Sequence, residues 1–275
     1  MGIKKVLVDA DIIAYRAAYS AKDESEVQAR GTVDDICSGI MYDCFYPYDY
    51  SLEDDTFFYL TGSNNYRMDI AKIKPYKGTR KKEKPDHLKA TRDQLKIRWL
   101  AEVVEGQEAD DALGIKATEL NGECIIASID KDLLMIPGTH YNFAKQEWTE
   151  VDQAKGDYFF YKQLLTGDQV DNIQGVPGIG PKKAEKAYEG CTTVQEMYSK
   201  ALEMYKGDTE ALLENARLLW LRRYEGEMWE PPVWESKNMR CGTTWPKRKC
   251  LLEDGLLVVG LKNTRFVKIR LTAGL

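Results

Sequence analysis

Lys5-Val6-Leu7-Val8-Asp9-Ala10-Asp11 is a short apolar run that closes on carboxylates, and the fold turns on how it is read. A run of this length bounded by polar residues suits a buried strand better than a helix. Thr56-Phe57-Phe58-Tyr59-Leu60-Thr61-Gly62 and Glu123-Cys124-Ile125-Ile126-Ala127-Ser128 repeat the pattern. Between them, Leu88, Leu95, Trp99 and Val103 recur at helical spacing across 89–104, and 109–120 reads as a helix closed by Asn121-Gly122. Strands alternating with helices predict a mostly parallel α/β sheet. After Asp157 the strand signal fades. A helix is expected over 158–165, a tight turn at Val176-Pro177-Gly178-Ile179-Gly180-Pro181, a helix over 182–189 with Pro181 in its first turn, and helical character over 193–225. The expected division is a catalytic domain over 1–157, a helical lobe over 158–228 and an extension over 229–275. In the extension, 255–260 and 265–269 look like strands without assignable chemistry.

The chain has 275 residues, 43% hydrophobic and 30% charged, which suits a globular protein with a sizeable core. No apolar run approaches the roughly 18 residues of a membrane span. The first residues are too short an apolar stretch for a signal peptide, so a cytoplasmic monomer with no membrane partner is expected. Six cysteines without a C-x-x-C pair, and only two histidines, argue against a zinc site or a disulfide framework. The net charge of −5 conceals an uneven distribution. Lys72 to Arg98 holds eleven Lys/Arg against three acids, a local +8, leaving −13 on the other 248 residues.

In an open α/β sheet, ligands gather beyond the carboxyl ends of the strands. Asp9 ends the first strand; Asp130 and Asp132 follow the 123–128 strand; Glu108, Asp110 and Asp111 open the helix near Ala109; Asp168 and Asp171 enter the helical lobe. Each group alone is ordinary turn or capping chemistry. Together they come from four segments that this topology brings to one place, and so many like charges call for a counter-cation. Hard oxygen donors with almost no His or Cys select Mg²⁺ or Mn²⁺, and two such ions about 3.5–4 Å apart can drive phosphodiester cleavage.

The basic stretch is either a solvated face or a phosphate contact. Its one-sided sign favours phosphate, as does Tyr76-Lys77-Gly78-Thr79-Arg80, where a proline and a glycine nearby imply a mobile segment with Tyr76 as an aromatic platform. Gly175-Val176-Pro177-Gly178-Ile179-Gly180-Pro181-Lys182-Lys183 fails as a Walker A loop, because Pro181 stands where Lys is required. It fits a helix-hairpin-helix whose backbone N–H groups and lysines grip phosphates without reading bases.

The order Val8-Asp9-Ala10-Asp11…Tyr15-Arg16, Tyr76-Lys77-Gly78-Thr79-Arg80, Glu108-Ala109-Asp110-Asp111, Ser128-Ile129-Asp130-Lys131-Asp132 and Gly167-Asp168-Gln169-Val170-Asp171-Asn172-Ile173…Gly178-Ile179-Gly180 resembles the 5′-nuclease (flap endonuclease) family. The nearest likeness is to bacteriophage 5′→3′ exonucleases and to the 5′-nuclease domain of bacterial DNA polymerase I. The resemblance spans residues 6 to 188. It implies a PIN-like domain with a central mostly parallel sheet, a basic helical arch over about 72–98, and a helix-three-turn-helix DNA-binding lobe.

By the same resemblance, Asp9, Glu108, Asp110, Asp111, Asp130, Asp132, Asp168 and Asp171 match metal-site acids for two Mg²⁺ or Mn²⁺ ions. Lys77 and Arg80 match the pair that reaches the scissile phosphate, and Arg16, Tyr76, Gly178, Gly180, Lys182 and Lys183 are the expected DNA contacts. Many members carry a further acid after the second strand, where this chain has Ser63-Asn64-Asn65. Either Ser63 or Asn64 holds water there, or one metal binds more weakly. The implied activity is metal-dependent 5′→3′ exonuclease or 5′-flap endonuclease action on DNA, with RNA/DNA hybrids as further substrates, in a phage or bacterial replication setting. The competing readings are a PIN-type ribonuclease and a non-catalytic structure-specific DNA-binding protein.

Overall fold

The computed structural model describes residues 5–80 and 83–232, together with the backbone of 252–253, 256–259 and 267–270. Lys81, Lys82 and the remainder of 233–275, including the ends of the two expected C-terminal strands, lie outside the described residues. Contacts divide the chain into two compact units, one through Val233 and one from Trp234.

The first unit opens with β1 (Lys5–Asp9), α1 (Ala10–Ser20), α2 (Glu26–Phe45), α3 (Leu52–Asp55), β2 (Thr56–Thr61) and α4 (Tyr66–Ile70). It continues through α5 (Leu88–Arg98), β3 (Glu102–Val104), α6 (Ala109–Glu119), β4 (Cys124–Ala127), a 3₁₀ turn (Lys131–Met135), β5 (Gly138–Asn142) and β6 (Glu147–Val151). Then follow α7 (Gln153–Thr166), β7 (Gly167–Asp168), β8 (Ile173–Gln174), α8 (Pro181–Ala187), α9 (Val194–Met204) and α10 (Thr209–Leu219). Six strands form one sheet in the order β3-β2-β1-β4-β5-β6, parallel except for the β5–β6 hairpin at one edge.

Alternation along β1 explains why helices cover both sheet faces. Val6 and Val8 pack with Ile13, Ile40 and Leu95 of α1, α2 and α5, whereas Leu7 packs with Leu113 of α6 and Phe160 of α7. All eight side chains are essentially closed to solvent, each worth about 1.5–3 kcal/mol of transfer free energy. The mostly parallel sheet predicted from β1, β2 and β4 is thereby realised. In the second unit, β9 (Leu252–Glu253), β10 (Leu256–Val259) and β11 (Val267–Arg270) pair as an antiparallel sheet in the order β11-β10-β9.

Several local expectations need correction. The helix predicted to reach Val104 stops at Arg98: Leu100 takes a left-handed φ of 56°, and Glu102–Val104 becomes the edge strand β3 against β2. Of the basic stretch, only 88–98 is helix, while 72–80 forms turns, so the expected helical arch is not helical across its described N-terminal half. The helical character read through 225 ends at Leu219. No helix among the described residues is long and apolar enough to cross a membrane.

Candidate active site

The carboxyl ends of β1 and β4 supply the first acids. Asp9 closes β1 and is buried; its Oδ2 accepts from Ser128 Oγ at 2.8 Å, and its Oδ1 accepts from the Ile12 N–H that starts α1. Ser128 Oγ also accepts the Asp130 N–H at 3.0 Å, and Asp130 Oδ1 caps the Asp132 N–H at 2.9 Å. One hydroxyl thus ties the end of β1 to the turn after β4.

Glu108, Asp110, Asp130, Asp132, Asp168 and Asp171 line one pocket with a cavity volume of about 120 Å³. Arg67, Tyr76, Lys77, Arg80 and Gln163 share the lining. Asp9 lies immediately behind: burial foremost, then the charges of Asp11 and Asp130, push its carboxyl up to about 7, with Ser128 opposing. Asp132 is likewise pushed up to about 7, by burial and then by Asp130 and Asp168. Asp110 is raised for the same reasons, with Asp9, Asp130 and Glu108 as the neighbouring charges. These are carboxylates short of positive partners.

Two cations of the basic stretch, Lys77 and Arg80, share the pocket lining and pair with two of its acids. The 75–80 turn is pinned to the loop after β7: Lys77 N–H donates to Asp171 O at 2.9 Å, and Asn172 Nδ2 donates to Pro75 O at 2.9 Å. Lys77, in the left-handed region at φ 54°, places its ammonium on Glu108 Oε1. Arg80 reaches Asp171 at 2.6 Å. Tyr76 does not serve as an exposed platform. It is only 5% exposed, and its hydroxyl stands 2.8 Å from Glu108 Oε2 and 2.7 Å from Asp171 Oδ2. The proline and glycine that suggested mobility instead fold the turn back over the acids.

Asp111 also departs from expectation. Its carboxylate takes the guanidinium of Arg67 at 2.5 and 2.8 Å and the N–H groups of Glu108 and Arg222 at 3.1 and 3.0 Å, which uses its lone pairs away from the pocket. Burial alone would raise this acid, but Arg67 and those hydrogen bonds hold it below the ordinary value. Asp11, two residues past Asp9, is paired with Arg92 at 2.6 Å. The position expected to hold a further acid has Ser63 donating to Glu105 at 2.9 Å, outside the pocket lining.

Two lining residues were not legible in the sequence. Gln163 of α7 donates from Nε2 to Asp132 Oδ1 at 3.0 Å and to Asp168 Oδ2 at 3.3 Å, while its buried Oε1 has no hydrogen-bond partner among the described residues. Arg67 was hidden by distance, since its partner Asp111 lies 44 positions on. Among the described residues no three Asp, Glu, His or Cys stand in ready ligating geometry. The donor set nevertheless fits a hard divalent cation. It is all oxygen, several members lack a cationic partner, and one buried amide oxygen is unsatisfied.

The hairpin follows directly. β7 and β8 pair antiparallel, and Val176 N–H donates to Leu165 O at 2.8 Å. Gly167 (φ 71°) and Gly175 touch back to back: a Cβ on Gly167 would meet Gly175 N at 2.2 Å. Gly178 turns the chain at φ 78°, Gly180 precedes α8, and Lys182 and Lys183 are exposed, Lys183 donating to Gly178 O at 2.8 Å. Arg16 is exposed on α1.

Comparison with known proteins gives a consistent result. Flap endonuclease Xni of Pectobacterium atrosepticum is 30% identical over 149 residues, covering 44% of this chain and 57% of that protein. DNA polymerase I of Caldicellulosiruptor bescii is 29% identical over 167 residues, covering 50% of this chain and 19% of the polymerase. The chain is homologous to flap endonuclease Xni. It spans only a little over half of that relative and about a fifth of the polymerase. Among solved structures, bacteriophage T5 5′-exonuclease with bound zinc aligns with a TM-score of 0.61 at 18% identity, over 78% of this chain and 88% of that one. A complex of T5 D15 flap endonuclease with DNA and metal ions aligns at 0.58 and 18%. At that identity the likeness is one of fold, the PIN-like 5′-nuclease fold. No family model matches the chain.

Proposed function

We propose that the chain is a divalent-metal-dependent 5′ nuclease that hydrolyses DNA phosphodiesters at 5′ ends and 5′ flaps. The single observation that carries this reading is the pocket itself: six carboxylates share one lining with Lys77 and Arg80, which pair with two of them, Glu108 and Asp171. Residues 1–157 would be catalytic, 158–228 would grip duplex DNA, and 229–275 has no assigned role. Asp9, Asp110, Asp130, Asp132 and Asp168 would hold Mg²⁺ or Mn²⁺, two ions in all, with Glu108 and Asp171 joining once Lys77 and Arg80 turn to phosphate. Asp111 is not among them. Bound there, divalent cations lower the pKa of water and offset charge on the scissile phosphate.

The remaining steps belong to the chain's own side chains. Lys77 and Arg80 would leave Glu108 and Asp171 for the non-bridging oxygens of the scissile phosphate, stabilising charge as it develops there. Gly178, Gly180, Lys182, Lys183 and Arg16 would fix the duplex through phosphates alone, so cleavage would depend on structure rather than sequence. RNA strands of hybrids are a further substrate, and a replication or repair setting accords with the homologues. The test is an end-labelled 5′-flap oligonucleotide with Mg²⁺, with Mn²⁺ and with EDTA. Cleavage near the flap junction that EDTA abolishes is expected. Binding without cleavage in either metal would overturn the nuclease assignment, and preference for single-stranded RNA would favour a ribonuclease.

A further inference from the structure

Arg67, at 1% exposure, is the one buried Lys or Arg among the described residues, and its guanidinium makes four hydrogen bonds and one longer ion-pair contact. Nε donates to Leu218 O at 2.9 Å. Nη1 lies 2.5 Å from Asp111 Oδ2 and 3.4 Å from Glu108 Oε2. Nη2 donates to Asp111 Oδ1 and to Trp220 O, each at 2.8 Å. The acceptors belong to two separate places: the acidic start of α6, and the last turn and cap of α10. Carbonyls at a helix end lack intrahelical partners, and the helix dipole favours a cation there, so α10 is a natural seat for a guanidinium.

We propose that Arg67 is a positioning residue that fixes the acidic N-terminus of α6 against the end of α10, and so sets where Glu108 and Asp110 stand in the pocket. The proposal rests on the nuclease reading above. Asp111 transmits the position, because the carboxylate that takes Arg67 also accepts the Glu108 N–H at 3.1 Å. A shift of the guanidinium therefore moves the backbone that carries the pocket acids. Charge alone does not meet the requirement. Lysine has three donors and no planar fork, and cannot reach the five acceptors from one site.

The test separates position from stability with three variants. Arg67→Met strands the Asp111 carboxylate. Arg67→Met/Asp111→Asn removes both charges, which relieves the cost of a lone buried charge, while the one Asn carbonyl can keep the Glu108 N–H and gives up the Arg222 N–H that the other carboxylate oxygen took. Arg67→Lys keeps the charge without the fork. The readouts are the melting temperature in EDTA, Mn²⁺ affinity by calorimetry, and kcat and KM on 5′-flapped DNA. The double variant is expected to regain most of the melting temperature that Arg67→Met loses. It should nonetheless bind Mn²⁺ and turn over about 10–100-fold less well, with KM little changed, and Arg67→Lys should share the defect.

A folded double variant with wild-type Mn²⁺ affinity and kcat would reduce Arg67 to a structural ion pair and end the proposal. Should the double variant not fold, Arg67→Lys decides by the same two readouts. A wild-type chain that binds Mn²⁺ but does not cleave would overturn the nuclease reading separately, and the Mn²⁺ affinities of the variants would still decide the role of Arg67.

Discussion

Arg80 lies 2.6 Å from Asp171, joining the basic turn to the loop after β7 across 91 positions of sequence. The guanidinium is half exposed and the carboxylate mostly covered, so the pair can open toward an incoming phosphate without unfolding anything. Arg80→Ala and Lys77→Ala should each lower kcat by about 10²–10³-fold, comparable to loss of one preorganised donor elsewhere. Single-turnover cleavage of a flap substrate measures this, and the equilibrium affinity for duplex DNA should change far less. An affinity loss matching the rate loss would make them DNA grips only.

Among the described residues no ion pair reaches Asp130, and its charge raises Asp9, Asp110 and Asp132. Asp130→Asn should abolish metal-dependent cleavage while DNA binding in EDTA stays near wild type. It should also raise the melting temperature in EDTA, because one member of a crowded set of like charges is gone. Undiminished cleavage by this variant would remove Asp130 from the metal site.

The same crowding makes stability depend on pH in a definite direction. Asp9 and Asp132 titrate near 7 in the folded chain against 3.8 ordinarily, so the folded state holds their protons more tightly than the unfolded state. Their contribution is fully present below about pH 4 and is lost as pH rises through about 7. Asp111, shifted downward, acts in the opposite sense but only below 3.8. In EDTA the melting temperature should therefore fall from pH 5 to pH 8, and Mg²⁺ should restore more of it at pH 8 than at pH 5. Scanning calorimetry at both pH values checks this.

Tyr76→Phe distinguishes a buried clasp from a stacking platform. Loss of the hydroxyl should cost about 1.5–3 kcal/mol of stability, as for hydrogen bonds to charged groups, and slow cleavage by freeing Glu108 and Asp171. Affinity for single-stranded DNA should be unchanged. A ring used for stacking would keep its function in Tyr76→Phe and lose it in Tyr76→Ala, at about 1–3 kcal/mol of binding.

What could be read in advance follows from how local each signal was. β1, β2 and β4 are continuous apolar runs, and acids follow β1 and β4 at their carboxyl ends, so strand type and the placement of those acids were both visible. β3 was lost because three residues, two of them exposed, fall where the helical spacing of Leu95 and Trp99 happens to extend to Val103. Asp111 looked like its neighbours because nothing in Glu108-Ala109-Asp110-Asp111 reveals which acid turns toward Arg67. Gln163 and Arg67 carry no motif. Arg67 meets Asp111 44 positions on and Gln163 meets Asp132 31 positions back, contacts that appear only when the chain is folded.

Gly167 and Gly175 press backbone to backbone, with no room for a methyl group at Gly167. Asp168, an acid of the pocket, is the next residue after one, and the Val176–Gly180 turn proposed to hold phosphates begins right after the other. The two ends of the proposed task are therefore held by one inextensible clip. Cleavage would then fall at a constant count of nucleotides from the gripped duplex, whatever its sequence, making this glycine pair the graduation mark of a molecular ruler.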